Sequence, residues 1–205
     1  VRRRKKYYYE FLERSMVINM ELQEIIALVK RTKTFVENRE RANHIKVKGP
    51  ADYVTQVDTD IQNFLARELG RLAPEIQFLG EEEGLHEMSG DTYWILDPID
   101  GTTNLIHDYQ HSVVSLALYE KGEITMGIVY DPFREDVYHA QKGKGSFLNG
   151  MPISVSDAEA LSETIVTIGT SPYDRELTEE NFKRFKRVFD KSQDIRRTGS
   201  AALDL

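Results

Sequence analysis

Two aspartates, Asp97 and Asp100, stand three residues apart in the stretch WILDPIDGTTNLIH (94–107), directly behind the apolar run Trp94-Ile95-Leu96. Two carboxylates about 4 Å apart repel by roughly 4 kcal/mol at an effective dielectric near 20. A turn that crowds them is either fully solvated or neutralised by something positive. Two further acidic groups flank expected elements: Asp58 and Asp60 in YVTQVDTD, and Glu81, Glu82 and Glu83 in FLGEEEG. The chain has no cysteine, and its five histidines have no ligand spacing. Carboxylates at strand ends in that setting suit a hard cation, Mg²⁺ first.

The residues after Asp100 supply the complementary half. Gly101 allows close backbone approach, and Thr102, Thr103 and Asn104 suit a helix start, whose free N–H groups hold anions. A cation beside an anion hole is the equipment of phosphoryl chemistry, in which cations activate water and neutralise a leaving oxygen. Each piece alone has a plainer reading. Glu81–Glu83 can be a solvated acidic turn, Asp97-Pro98 a turn starter, and Asp58 a helix cap. Lys142-Gly143-Lys144-Gly145 lacks the P-loop spacing and reads as a hairpin turn, and no Gly-x-Ser-x-Gly supports a serine hydrolase.

These groups need a scaffold, and the pattern supplies one. Leu22, Ile25, Ile26, Val29 and Val36 have helical spacing, which predicts an amphipathic helix over 20–38, broken before Gly49-Pro50. Asp58 or Thr59 is expected to cap a second helix with the stripe Ile61, Phe64, Leu65 and Leu69, ended by Gly70 or Pro74. The period then changes to two. Strands are expected at 76–79, 93–96, 112–119, 124–130, 136–140 and 146–148, joined by turns at Lys121-Gly122, Asp131-Pro132, Gly143–Gly145 and Asn149-Gly150. Short links imply an antiparallel meander with the two helices on one face. Beyond 157 a buried strand (163–169), a helix (178–191) capped by Thr178 with Phe182, Phe185, Val188 and Phe189 inward, the short strand DIRRTG and a helix opening at SAALDL begin an α/β unit.

Composition narrows the classes. The 205 residues, 40% hydrophobic and 30% charged, fit one large domain or one and a half ordinary ones. A net charge of −7 argues against a basic nucleic-acid-binding domain, and no run of eighteen apolar residues could span a membrane. The lack of cysteine removes disulfides and thiolate chemistry and fits a reducing, cytoplasmic setting. Residues 1–19, opening VRRRKKYYYEFLERS, lack a signal-peptide core. They read as a disordered, solvated tail or as sequence ahead of a true start at Met16 or Met20, with an RNA- or membrane-touching arm as the alternative. The expected division is therefore tail 1–19, helix pair plus antiparallel sheet carrying the metal site 20–157, and the start of a second α/β unit 158–205.

Read together, ADYVTQVD, GEEEG, WILDPIDGTTN, GIVYDP, GKGSFLNG and IRRTGSAALDL, in this order over about 20–205, resemble the inositol monophosphatase family of metal-dependent phosphatases. Bisphosphate nucleotidases resemble D-G-T-K-E after the second aspartate and fructose bisphosphatases D-G-S-S-N; Thr103-Asn104 favours the first family. The resemblance implies an α/β fold layered α/β/α/β/α, with the antiparallel half complete and the second half truncated. It implies that Glu81, Asp97 and the carbonyl of Ile99 hold one Mg²⁺, and that Asp97 bridges to a second ion also bound by Asp100, two or three ions in all. Asp58 and Thr102 would orient the attacking water, with no phosphoenzyme. Backbone N–H groups of Gly101 and Thr102 would hold the phosphate, Asp100, Gly199, Ser200 and Ala201 would touch the sugar or inositol ring, and Glu82 would lie behind the ligands. The implied activity is hydrolysis of inositol monophosphate or a related sugar phosphate, in a protein that is commonly dimeric. The alternatives are a 3′,5′-bisphosphate nucleotidase, a fructose-bisphosphatase, or a non-catalytic binding protein on the same fold. The family continues past the position of Leu205 with a Trp-Asp stretch that adds a metal ligand, so this chain is expected to be a truncated product or a fragment, weak or inactive alone.

Overall fold

The computed structural model describes residues 22–49, 52–82, 90–172 and 174–205. The tail expected over 1–19 and the third acid of the cluster, Glu83, lie outside them. Residues 22–30 (α1) are helical, followed by the short helices Lys33–Val36 (α2) and Arg39–Ala42 (α3). The single helix expected over 20–38 is therefore interrupted. The physical reason lies at its turn: the Thr32 hydroxyl bonds back to the Val29 carbonyl at 2.6 Å, and Arg31 and Thr32 N–H reach only three residues back.

A hairpin then forms from Ile45–Gly49 (β1) and Asp52–Thr55 (β2), which the strand pattern had not indicated. The main helix, Gln56–Leu72 (α4), starts before Asp58 because Thr55 is its cap. Thr55 Oγ1 accepts from Val57 N–H at 3.2 Å, and Asp58 Oδ2 accepts from Thr55 N–H at 2.8 Å. This is a capping box, with Asp58 at its third helical position.

Among the described residues one seven-stranded sheet follows, in sequence order: Gln77–Gly80 (β3), Thr92–Asp100 (β4), Val113–Glu120 (β5), Glu123–Asp131 (β6), Asp136–Gln141 (β7), Gly145–Leu148 (β8) and Met151–Ile153 (β9). From β4 to β9 it is the expected antiparallel meander, extended by β9. Lys121-Gly122 and Asn149-Gly150 turn it, all four at positive φ as such hairpins demand. The departure is β3, which pairs parallel to β4, so the sheet is mixed. Parallel pairing sends β3 and β4 toward the same edge, and their ends deliver Glu81 and Asp97 side by side.

α1 and α4 cover one face. Ile25, Val29, Ile61, Phe64, Leu65 and Leu69 meet Trp94, Leu96, Leu116 and Ile128 in a continuous buried core. A short helix, Thr102–Ile106 (α5), follows β4. The remaining elements are a 3₁₀ turn at Leu161–Glu163, Ile165–Thr167 (β10), Thr178–Phe189 (α6), Asp194–Arg196 (β11) and Ala201–Asp204 (α7), with β10 and β11 paired in parallel. Two expectations fail in this part. Thr178 makes no side-chain cap, and Phe182 and Phe189 are 58% and 50% exposed rather than inward, as is Ile165 on β10. Phe182 meets the ring of Phe185 on the same helix, centroids 5.6 Å apart.

Leu65 is fully buried between α4 and the sheet. Leu65→Ala is expected to cost about 2–5 kcal/mol by denaturant titration. An effect below 1 kcal/mol would mean that α4 does not carry the core.

Candidate metal and phosphate site

The site grows out of the end of β4. Pairing with β5 is regular up to Asp97, opposite Ser115, and resumes only at Asp100, opposite Val113. Pro98 has no N–H to give the ladder. The freed Ile99 N–H turns instead to Asp97 Oδ1 at 3.1 Å. This kink aims both aspartates and the Ile99 carbonyl to one end of the sheet. Gly101 then reverses the chain at φ +95°. A Cβ there would lie 3.0 Å from the His111 carbonyl and 3.2 Å from that of Gly199, so only glycine fits.

Glu81 joins this end because its N–H continues the parallel pairing, donating to the Leu96 carbonyl at 3.1 Å. Its carboxylate reaches that of Asp97. Burial first, then the charges of Glu81 and Asp100, push the Asp97 carboxyl up to about 8. Asp58, 2% exposed, is raised to about 6, chiefly by burial, against hydrogen bonds from Thr55 that favour its charged form. Thr102 Oγ1 lies 3.1 Å from Asp58 Oδ1 and 3.0 Å from the Ile99 carbonyl, two acceptors for one proton.

Residues 198–202 close the other side. Asp100 Oδ2 accepts from Ser200 Oγ at 2.7 Å and from Ala202 N–H at 2.6 Å, and Asn104 Nδ2 donates to the carbonyls of His111 and Thr198 at 2.7 and 2.9 Å. Ser200 is fully buried by this contact. Glu82, 7% exposed, pairs with Lys48 Nζ at 2.9 Å, and the same ammonium stands 3.9 Å from Glu81.

All eleven residues singled out from the sequence thus lie along three short segments and the start of α4. The geometry links Glu81 to Asp97, Asp58 to Thr102, and Asp100 to Ser200. Among the described residues no three acidic or histidine side chains already close around one point. The donor set nonetheless fits a hard divalent cation. It is all oxygen, it includes a backbone carbonyl that the sheet ladder does not use, and a carboxyl forced up to about 8 marks negative charge that a cation would neutralise. The sequence reading missed Lys48, Thr55 and Ser112, whose hydroxyl holds the Gly101 carbonyl at 2.8 Å, and it gave Asn104 a place in the helix start without the tie to residue 198. Thr55 had a signal, the T-x-x-D spacing of a capping box; Lys48 had none.

The model of the inositol monophosphatase family matches residues 12–205. The chain belongs to that family. The inositol-1-monophosphatase of Rhizobium meliloti is 36% identical over 197 residues, covering 95% of this chain and 73% of the relative. The Nus factor SuhB of Xylella fastidiosa is 36% identical over 168 residues, covering 82% and 61%. The chain therefore spans between about three fifths and three quarters of these relatives' lengths. Among solved structures, the extragenic suppressor protein suhB of Bartonella henselae superposes with a TM-score of 0.83 at 28% identity, over 90% of this chain and 72% of that one. The Thermotoga maritima IMPase gives 0.78 at 31% identity, over 89% and 70%. The expected family and layered α/β fold are thereby established.

The Asp97 shift sets a pH dependence. Between its ordinary range near 4 and about 8, the folded protein keeps a proton that the unfolded chain has given up, so stability falls as pH rises through that window. Asp97→Asn is expected to raise the unfolding free energy of the metal-free protein at pH 8 by about 1–3 kcal/mol. Saturating Mg²⁺ should stabilise the unsubstituted chain by about 2.7 kcal/mol at a hundred times its Kd and the variant far less. Equal Mg²⁺ stabilisation of both, in melts at pH 6 and 8, would reject Asp97 as a ligand.

Proposed function

We propose that this chain carries the reaction centre of a metal-dependent phosphomonoesterase that hydrolyses inositol monophosphate or a related sugar phosphate. The observation that carries the reading is the contact of Glu81 with Asp97 beside a buried Asp58–Thr102 pair whose hydroxyl also meets the Ile99 carbonyl. Glu81, Asp97 and the Ile99 carbonyl would hold one Mg²⁺, and Asp97 with Asp100 a second, within a set of two or three. Cations held there would lower the pKa of water and neutralise charge on the phosphoryl oxygens.

The chain's own residues do the rest. Asp58, held near 6, is a carboxylate at neutral pH and accepts the Thr102 hydroxyl proton. With that proton directed to Asp58, the Thr102 oxygen offers a lone pair to a water and orients it for direct attack on phosphorus, without a phosphoenzyme. The Gly101 and Thr102 N–H groups face the phosphate. Asp100, held by the Ser200 hydroxyl and the Ala202 N–H, would face the polyol ring together with Gly199, Ser200 and Ala201, and Glu82 stays paired to Lys48 behind the ligands. We read the protein as acting in the cytoplasm on a small phosphorylated polyol, as a homodimer. No helix among the described residues is long and apolar enough to cross a membrane.

Thr102→Ala is expected to lower kcat at least tenfold with KM changed less than threefold, about 1.4 kcal/mol or more of transition-state stabilisation. The kcat/KM profile should fall below about pH 6, where Asp58 takes up a proton. A pure KM effect, or an acid limb that survives Asp58→Asn unchanged, would overturn these roles. A panel of inositol phosphates, fructose bisphosphate and adenosine bisphosphate, assayed for phosphate release with and without Mg²⁺, tests the substrate class; release from the adenosine compound alone would favour a nucleotidase.

A further inference from the structure

Glu81 has a difficult placement. Its side chain is 54% exposed, whereas that of its neighbour Glu82 is 7% exposed. Little packing holds the Glu81 carboxylate against Asp97, and the two acids repel each other. Beyond the Asp97 contact, Lys48 Nζ approaches this carboxylate only to 3.9 Å, so its direction rests largely on the backbone on either side. One anchor is the Glu81 N–H on the Leu96 carbonyl at 3.1 Å. The other is the next N–H, that of Glu82, which donates to Gln62 Oε1 at 2.9 Å. Gln62 belongs to α4, one turn beyond Asp58, and reaches the strand end from beneath. Space for its carboxamide exists only because residue 80 is glycine: a Cβ on Gly80 would overlap the Gln62 Oε1 and Cδ atoms. Gly80 has no positive φ, so backbone conformation does not demand glycine there; the close approach of Gln62 does.

We propose that Gln62 is a positioning residue for the cation site, with Gly80 as its socket. Its carboxamide fixes the peptide between Glu81 and Glu82, so that the first acid points at Asp97 and the second at Lys48. The same helix thus sets two parts of the centre, Asp58 from its first turn and Glu81 through Gln62. The inference rests on the reading that Glu81 and Asp97 are cation ligands.

Mn²⁺ binding to the full chain, by calorimetry and by the loss of free-ion resonance, tests it without any turnover. Gln62→Met keeps the length but removes the acceptor, and should raise the Mn²⁺ Kd about tenfold, the low end of losses for groups that orient metal ligands. It should also speed hydrogen exchange at the Glu82 amide in the metal-free protein. Gln62→Glu keeps an acceptor oxygen and should stay within about threefold of the unsubstituted chain, a change of roughly 0.7 kcal/mol or less. Gly80→Ala expels the carboxamide and should reproduce the Gln62→Met loss, and the double variant should bind no more weakly than either single one. Additive losses in the double variant would overturn the socket. Unchanged affinity in both single variants, while Asp97→Asn loses binding, would overturn the role of Gln62 alone. Unchanged affinity in Asp97→Asn as well would overturn the reading of the site on which this depends.

Discussion

Crowding of carboxylates at one end of the sheet is the constraint around which this protein is arranged. Burial of Asp97 first, and then the negative charges of Glu81 and Asp100 beside it, drive its carboxyl up to about 8. Left to local preference, such a cluster would spread into solvent. It stays together because a strand that pairs in parallel with its neighbour, a proline that interrupts a ladder, and a glycine at positive φ leave the chain no other course. The tension that results is what gives an oxygen site its appetite for a divalent cation.

The distribution of counter-charge shows the same economy. Lys48 sits on the Glu82 carboxylate and approaches Glu81, but no cation side chain among the described interactions reaches Asp97 or Asp58. Neutralisation of Glu82 is thus built in, while Asp97 and Asp58 have no basic partner among the described residues. Asp58 occupies an intermediate position. Three hydrogen bonds from Thr55 and Thr102 offset part of its burial and leave it near 6, where a carboxylate remains a useful proton acceptor at neutral pH.

The second half of the chain contributes by contact rather than by chemistry of its own. Asn104 and Asp100 seize the backbone of residues 198–202, so that two segments about a hundred residues apart make one wall of the site. The apolar residues Ile165, Phe182 and Phe189, by contrast, remain open to solvent in the described structure.

The amino-acid sequence by itself determined the family. The order and spacing of GEEEG, DPIDGTTN and GSAALDL were enough for that, because a match of this kind rests on residue type and order along the chain, and through that resemblance the sequence named Glu81, Asp97, Asp100, Asp58 and Thr102 as candidates. It also determined the meander from β4 to β9, since period-two patterning and Asn-Gly and Lys-Gly turns act over a few residues. What only the tertiary structure decided was long-range. The parallel pairing of β3 that brings Glu81 to Asp97 depends on which strands meet, and alternation along one strand cannot report that. The interruption of the first helix came from one hydroxyl, Thr32, bonding back to Val29. The ion pair of Lys48 with Glu82 and the seat of Gln62 beneath Gly80 join residues 34 and 18–20 positions apart, where sequence spacing carries no signal and only the packing of α4 and the β1–β2 hairpin against the sheet end makes them neighbours.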